Sequence, residues 1–90
     1  MDYTIYDLGE KKKGEIVEVD LQGSAANLRL MDASNYQSFR NGGSHKYSGG
    51  LVKKSPIKLE ISHTAHWYLT IDSQGLEGNV RSSVRTISNL

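Results

Sequence analysis

The chain has 90 residues, no cysteine and a formal net charge of +1. That length is one domain, residues 1–90, which must hold together without disulfides or thiolate-bound metal. A near-neutral charge selects neither nucleic acid nor an anionic membrane, and no apolar run approaches the ~18 residues that span a bilayer.

Tyr3 to Leu8 is rich in β-branched and aromatic residues and reads as a first strand. Gly9 to Gly14 holds three lysines between two glycines and reads as a hairpin connection. Glu15 to Leu21 alternates strictly, with Val17, Val19 and Leu21 on one face and Glu18 and Asp20 on the other. Gly23-Ser24 offers a turn. Asn27 to Met31 sets Leu28 and Leu30 against Arg29.

Asp32 to Gly42 breaks the two-residue rhythm. Tyr36 and Phe39, three apart, share a helical face. Asp32 or Ser34 can cap the start, and Gly42 suits the position just past the end. A short helix near residues 34–40 is expected, plugging one end of the fold with two aromatic rings.

A short strand follows at His45 to Ser48, and Gly49-Gly50 reads as a turn. Pro56 cannot donate to a ladder, so it belongs at a strand start or an edge. Ile57, Leu59 and Ile61 face inward from the next strand. Trp67, Leu69 and Ile71 do so from His66 to Asp72, which leaves Tyr68 pointing outward and available for external contact. Ser73-Gln74-Gly75 and Glu77-Gly78-Asn79 punctuate the approach to a last strand, Asn79 to Ile87. That strand has a thin inner face and suits an edge, with Arg81 and Arg85 outside. About seven short strands imply an all-β, antiparallel two-sheet sandwich with one short helix.

Four kinds of chemistry are compatible with the side chains. His63 and His66, with His45, could supply three nitrogens to a metal, but their spacing is incomplete as a ligand pattern, and no metal or cofactor is expected. Serines, histidines and aspartates permit a nucleophilic triad, yet no Gly-x-Ser-x-Gly elbow is present, and no catalytic residue is assigned. Asn41-Gly42-Gly43-Ser44 and Ser48-Gly49-Gly50 lack the lysine and helix of a phosphate-binding loop and read as tight turns. Arg40, His45, Lys46, Tyr47, Lys53 and Lys54 interleave cations with rings within fifteen residues. This last set could bind an anion, an acidic protein face or single-stranded nucleic acid, or form a solvated, charged sheet edge.

The segments Gly23 to Asp32, Tyr36 to Gly42, His45 to Gly50, His66 to Tyr68 and Gly78 to Arg85 together resemble a family of small bacterial all-β proteins known as a domain of unknown function. The resemblance covers nearly the whole chain, and Ala25 to Asp32 is its most specific string. It implies the sandwich fold and brings no catalytic residue with it. Some members of that family are associated with TIR signalling domains, which implies a recognition or sensor role.

The expected function is a non-catalytic, cytoplasmic binding module for a protein partner or a small anionic ligand, with no membrane partner. Missing cysteines and the lack of a signal-like start at Met1 to Asp7 fit that location. The candidate ligand-binding residues are Arg29, Arg40, His45, Lys46, Tyr47, Lys53, Lys54, His66, Tyr68, Arg81 and Arg85. The alternatives are a single-stranded nucleic-acid binder, and a small metal protein or enzyme using His63 and His66.

Overall fold

Side chains of alternating polarity bury one face of a strand and solvate the other, and two such sheets must meet on their apolar faces. A computed structural model of the chain, which describes residues 3–73 and 80–88, has this architecture. Its strands are β1 (Thr4–Lys11), β2 (Ile16–Gly23), β3 (Ala26–Asp32), β4 (Ser48–Val52), β5 (Ile57–Glu60), β6 (Ala65–Asp72) and β7 (Val80–Ile87). The helix α1 (Ala33–Arg40) lies between β3 and β4. One sheet has the order β1-β6-β3-β4 and the other β5-β2-β7, and all pairings are antiparallel. No helix among the described residues is long and apolar enough to cross a membrane.

The inward residues of the strongest alternations make the core. Val17 and Val19 from β2 meet Leu28 and Leu30 from β3 and Trp67, Leu69 and Ile71 from β6, with Ala26, Val52 and Ile61 at the margins. Tyr6 ties the layers together from within: its hydroxyl lies 2.7 Å from Ser82 Oγ and donates to the Ser82 carbonyl at 3.1 Å. β7 occupies the expected edge, and Pro56 stands just ahead of β5.

Three local expectations are corrected. β1 continues to Lys11 and pairs with β6, so Gly9 to Gly14 is no hairpin connection. Gly9 sits in the strand, at a register shift after Asp7, with φ +71° that glycine adopts without strain. The fourth strand is Ser48–Val52 rather than His45 to Ser48, and Gly49 and Gly50 lie inside it instead of forming a turn. The reason is close backbone packing: Gly49 comes so near β3 that a Cβ there would stand 2.5 Å from the Leu28 carbonyl oxygen. Finally, α1 does not plug an end. It lies against the outward side of the four-stranded sheet, where Tyr36 stacks on Tyr68 at 4.3 Å and Phe39 meets Tyr3 edge-on at 5.3 Å. The punctuation at Gln74 to Asn79, including the expected start of the last strand, falls outside the described residues.

Candidate functional site

The outward sides of the two sheets differ in chemistry. On the three-stranded sheet, Glu18 stands opposite both Lys58 and Arg85. It accepts from Arg85 Nε at 2.6 Å and lies 3.9 Å from Lys58 Nζ, a cross-strand charge ladder typical of a solvated sheet. Arg81 sits on the same side, beside Asp20, Gln22 and Ser83.

The four-stranded sheet presents outward three rows that each cross three or more strands, beside the pair Glu10 and His66. Ile5, Thr70, Arg29 and Gly49 make the middle row. Asp72, Asn27 and Leu51 make a second, and Asp7, Tyr68 and Met31 a third. Helix α1 covers the Tyr68 and Met31 end of the third row and leaves Asp7 exposed, which explains why Met31 is fully buried although it points away from the core. Its Tyr36 hydroxyl lies 3.3 Å from that of Tyr3, and burial together with this contact pushes it up to about 12, so it stays neutral.

A charge pair occupies the middle of this face. Arg29 Nη1 donates to Asp72 Oδ2 at 2.7 Å, and Asn27 Nδ2 donates to Asp72 Oδ1 at 3.1 Å. The Asp72 side chain is fully buried and that of Arg29 is 22% exposed. The guanidinium carbon lies 5.4 Å from the ring centres of both Phe39 and Tyr47, so two aromatic faces shelter it. Phe39 in turn meets His45 edge-on at 5.1 Å, and His45 leans on Tyr47 at 5.6 Å.

The exposed large apolar side chains among the described residues are Ile5, Tyr47 and Leu51, at 40%, 47% and 53%. All three frame this pair. Ile5 is in the row of Arg29, Leu51 is in the row of Asp72, and the Tyr47 ring leans on the guanidinium. Arg40 ends the helix with its guanidinium 5.8 Å from the Tyr36 ring, and Lys46, Lys53 and Lys54 are exposed.

The structure thus gathers Arg29, Arg40, His45, Tyr47, His66 and Tyr68 on one side of the molecule and puts Arg81 and Arg85 on the other sheet. Arg81 and Arg85 therefore lie apart from the other candidate residues. Tyr68 does face away from the core, and its stack with Tyr36 leaves it half-buried. The three histidines are held apart. His66 Nε2 bonds Asp7 Oδ1 at 2.6 Å, His63 Nε2 bonds Asp32 Oδ2 at 2.9 Å, and His45 lies against Phe39. Among the described residues no three His, Asp or Glu side chains gather as a metal site would need. Asp7 is lowered below the ordinary carboxylate range, first by the Gly9 backbone N–H and then by His66.

Sequence reading passed over Asp72, Ile5 and Leu51. The available signal was an acid at an outward position of the most apolar strand, in phase with His66, Tyr68 and Thr70. Such a carboxylate, once covered, needs a cation.

Asp32 caps α1, its Oδ1 accepting from the Asn35 backbone N–H at 2.9 Å. Partial burial pulls its pKa up, but the Asn35 backbone and side-chain N–H groups and His63 outweigh burial and hold it low. Asp32→Ala is expected to lower stability by about 1 kcal/mol at neutral pH. A folded-state pKa below the unfolded one gives stability that is complete above the usual carboxylate range of about 4 and is lost as pH falls through the depressed value. Urea melts at pH 7 and pH 3 check this: the wild-type advantage over Asp32→Ala must shrink in acid.

The fold and this face define a class: a small antiparallel β-sandwich with one charge-laddered side and one aromatic, helix-covered side. The chain belongs to DUF1883, a domain of unknown function, whose family profile spans residues 1–89. Neither a curated protein nor a solved structure matches it.

Proposed function

We propose that the chain is a binding module of the bacterial cytoplasm that recognises a protein partner through the outward side of its four-stranded sheet, by binding rather than turnover. The observation behind this reading is the confinement of the exposed large apolar side chains, among the described residues, to the surroundings of one sheltered charge pair. Apolar patches rimmed by polar groups mark interaction surfaces. Arg40, Lys46, Lys53 and Lys54 add cations along the helix end and beyond β4, which favours a partner with an apolar centre and acidic flanks. The association with TIR domains that the resemblance implies is in keeping with a sensor of this kind.

Nucleic acid is the poorer fit. Stacking on bases needs open rings, whereas Tyr36 and Tyr68 stack on each other and Phe39 is engaged by Tyr3 and His45. A small anion is also the poorer fit, because Arg29 is already neutralised by Asp72.

A photoreactive benzoylphenylalanine placed at Leu51 tests the reading against the same group at Lys58 on the opposite sheet. Irradiated bacterial cells are expected to give a discrete adduct from position 51, none from position 58, and none from position 51 once Tyr47→Ala is added. Adducts from both positions, or from position 58 alone, would remove the proposed face.

A further inference from the structure

α1 and the β5–β6 connection border an open cleft of about 160 Å³ lined by Asp32, Asn35, Lys46, Ser62, His63 and Trp67, among others, with Ser62 and His63 exposed to solvent. It holds a hydroxyl, an imidazole and a carboxylate in one hydrogen-bonded line. Ser62 Oγ lies 3.0 Å from His63 Nδ1, and His63 Nε2 lies 2.9 Å from Asp32 Oδ2. Asp32 Oδ1 is occupied by the backbone and side-chain N–H groups of Asn35, both at 2.9 Å, which leaves Oδ2 for the imidazole.

This arrangement fixes the tautomer. A carboxylate only accepts, so in the neutral imidazole His63 Nε2 carries the proton and Nδ1 presents its lone pair to the Ser62 hydroxyl. The segment is also held in place. Ile61 N donates to Glu15 O at 2.8 Å and Gly14 N to Ile61 O at 2.9 Å. Lys13 N donates to Thr64 Oγ1 at 3.1 Å, and Trp67 Nε1 to His63 O at 3.1 Å. Nucleophile, base and orienting acid are therefore preset rather than assembled on demand, the condition for activating a serine.

We propose that Ser62, activated by His63 and Asp32, is a nucleophilic modification site that takes up acyl or phosphonyl groups from activated electrophiles entering this cleft. Ser62 Oγ forms the bond to the carbonyl carbon or phosphorus while its proton passes to His63 Nδ1. The bond to the leaving group breaks, and that group departs with the electron pair and recovers the proton from the imidazole. Asp32 remains a carboxylate throughout and stabilises the transient imidazolium, with the two ring nitrogens exchanging the roles they have in serine proteases. Lys46 contributes a cation to the same lining, which favours electrophiles with an anionic leaving group or tail. The reaction leaves a covalent ester on Ser62. It goes beyond the recognition reading, and neither depends on the other.

The test uses the whole chain and a fluorophosphonate probe, with intact-mass analysis and peptide mapping. A single adduct at Ser62 is expected, absent in Ser62→Ala and unchanged in a control, Ser83→Ala, at an exposed β7 serine. Asp32→Asn keeps a helix cap but turns an amide N–H toward His63, which reverses the tautomer. Labelling should then slow by about tenfold or more while the melting curve keeps its shape. His63→Gln should slow it similarly. No adduct, an adduct at another residue, or an adduct at Ser62 that is indifferent to both Asp32→Asn and His63→Gln would overturn the proposal.

Discussion

Asp72→Ala is expected to cost about 3–5 kcal/mol, because it leaves the sheltered Arg29 guanidinium without its carboxylate. Asp72 is fully buried and receives both Arg29 Nη1 and Asn27 Nδ2, so its removal strands two donors at once. The cost comes from the orphaned charge more than from attraction within the pair, since a buried pair recovers only part of the hydration that both ions give up. Arg29→Met in the same background should therefore restore much of the loss, as the thioether can lie between Phe39 and Tyr47 without a counter-charge. Urea denaturation of the two single variants and the double variant measures this. Additive losses would mean that the guanidinium reaches water on its own and that the pair is not the keystone of the face.

Gly49→Ala is expected to be comparably severe, at about 3–5 kcal/mol, for an unrelated reason. Gly49 has φ +125°, where an L side chain is strained, and its added Cβ would stand 2.5 Å from a backbone oxygen that cannot rotate away. β4 would have to lift from β3, taking Val52 out of the core and Leu51 away from the recognition face. Gly50→Ala is the internal control. Its φ of +114° brings similar strain, but nothing lies within 4 Å of its Cβ position. Only about 1–3 kcal/mol is expected there. Equal midpoint shifts for the two variants would show that β4 does not approach β3 so closely.

The strands easiest to read were those whose burial is written in their own alternation: Glu15 to Leu21, Ile57 to Ile61 and His66 to Asp72. Each carries three aliphatic or aromatic residues in phase, and each is a strand with that face inward. Strand partners were not legible, because pairing depends on which segments meet across the sheet, and Gly9 inside β1 resembles a turn when seen alone. β4 resembles a turn in sequence for a similar reason. Ser48-Gly49-Gly50 has little intrinsic strand preference, and only the backbone of Leu28 makes a glycine necessary at position 49, while Gly50 is favoured by its φ of +114° alone.

The candidate face was half legible. Arg40, His45 and Tyr47 drew notice because cations and rings cluster along the chain. Asp72 did not, since its partner Arg29 lies 43 residues earlier. Ile5 and Leu51 were invisible as surface residues because exposure is a property of the finished sheet, where apolar residues normally turn inward. The line from Ser62 through His63 to Asp32 spans 31 residues and arises only where the end of β3 meets the β5–β6 connection.

The strand order has a consequence for how the molecule is made. Among the described strands, only β3 and β4 are neighbours both in the chain and in a sheet, and a helix separates even those. A nascent chain leaving the ribosome can therefore close no simple hairpin. β1 waits for β6, and β2 has no partner until β5 emerges, with its second side open until β7 follows. Loop closure must come before any reward from pairing, so refolding should take milliseconds to seconds rather than microseconds, on the order expected for sandwiches of nonlocal topology. The four-stranded layer is whole only once β6 has emerged, and the three-stranded layer only once β7 has.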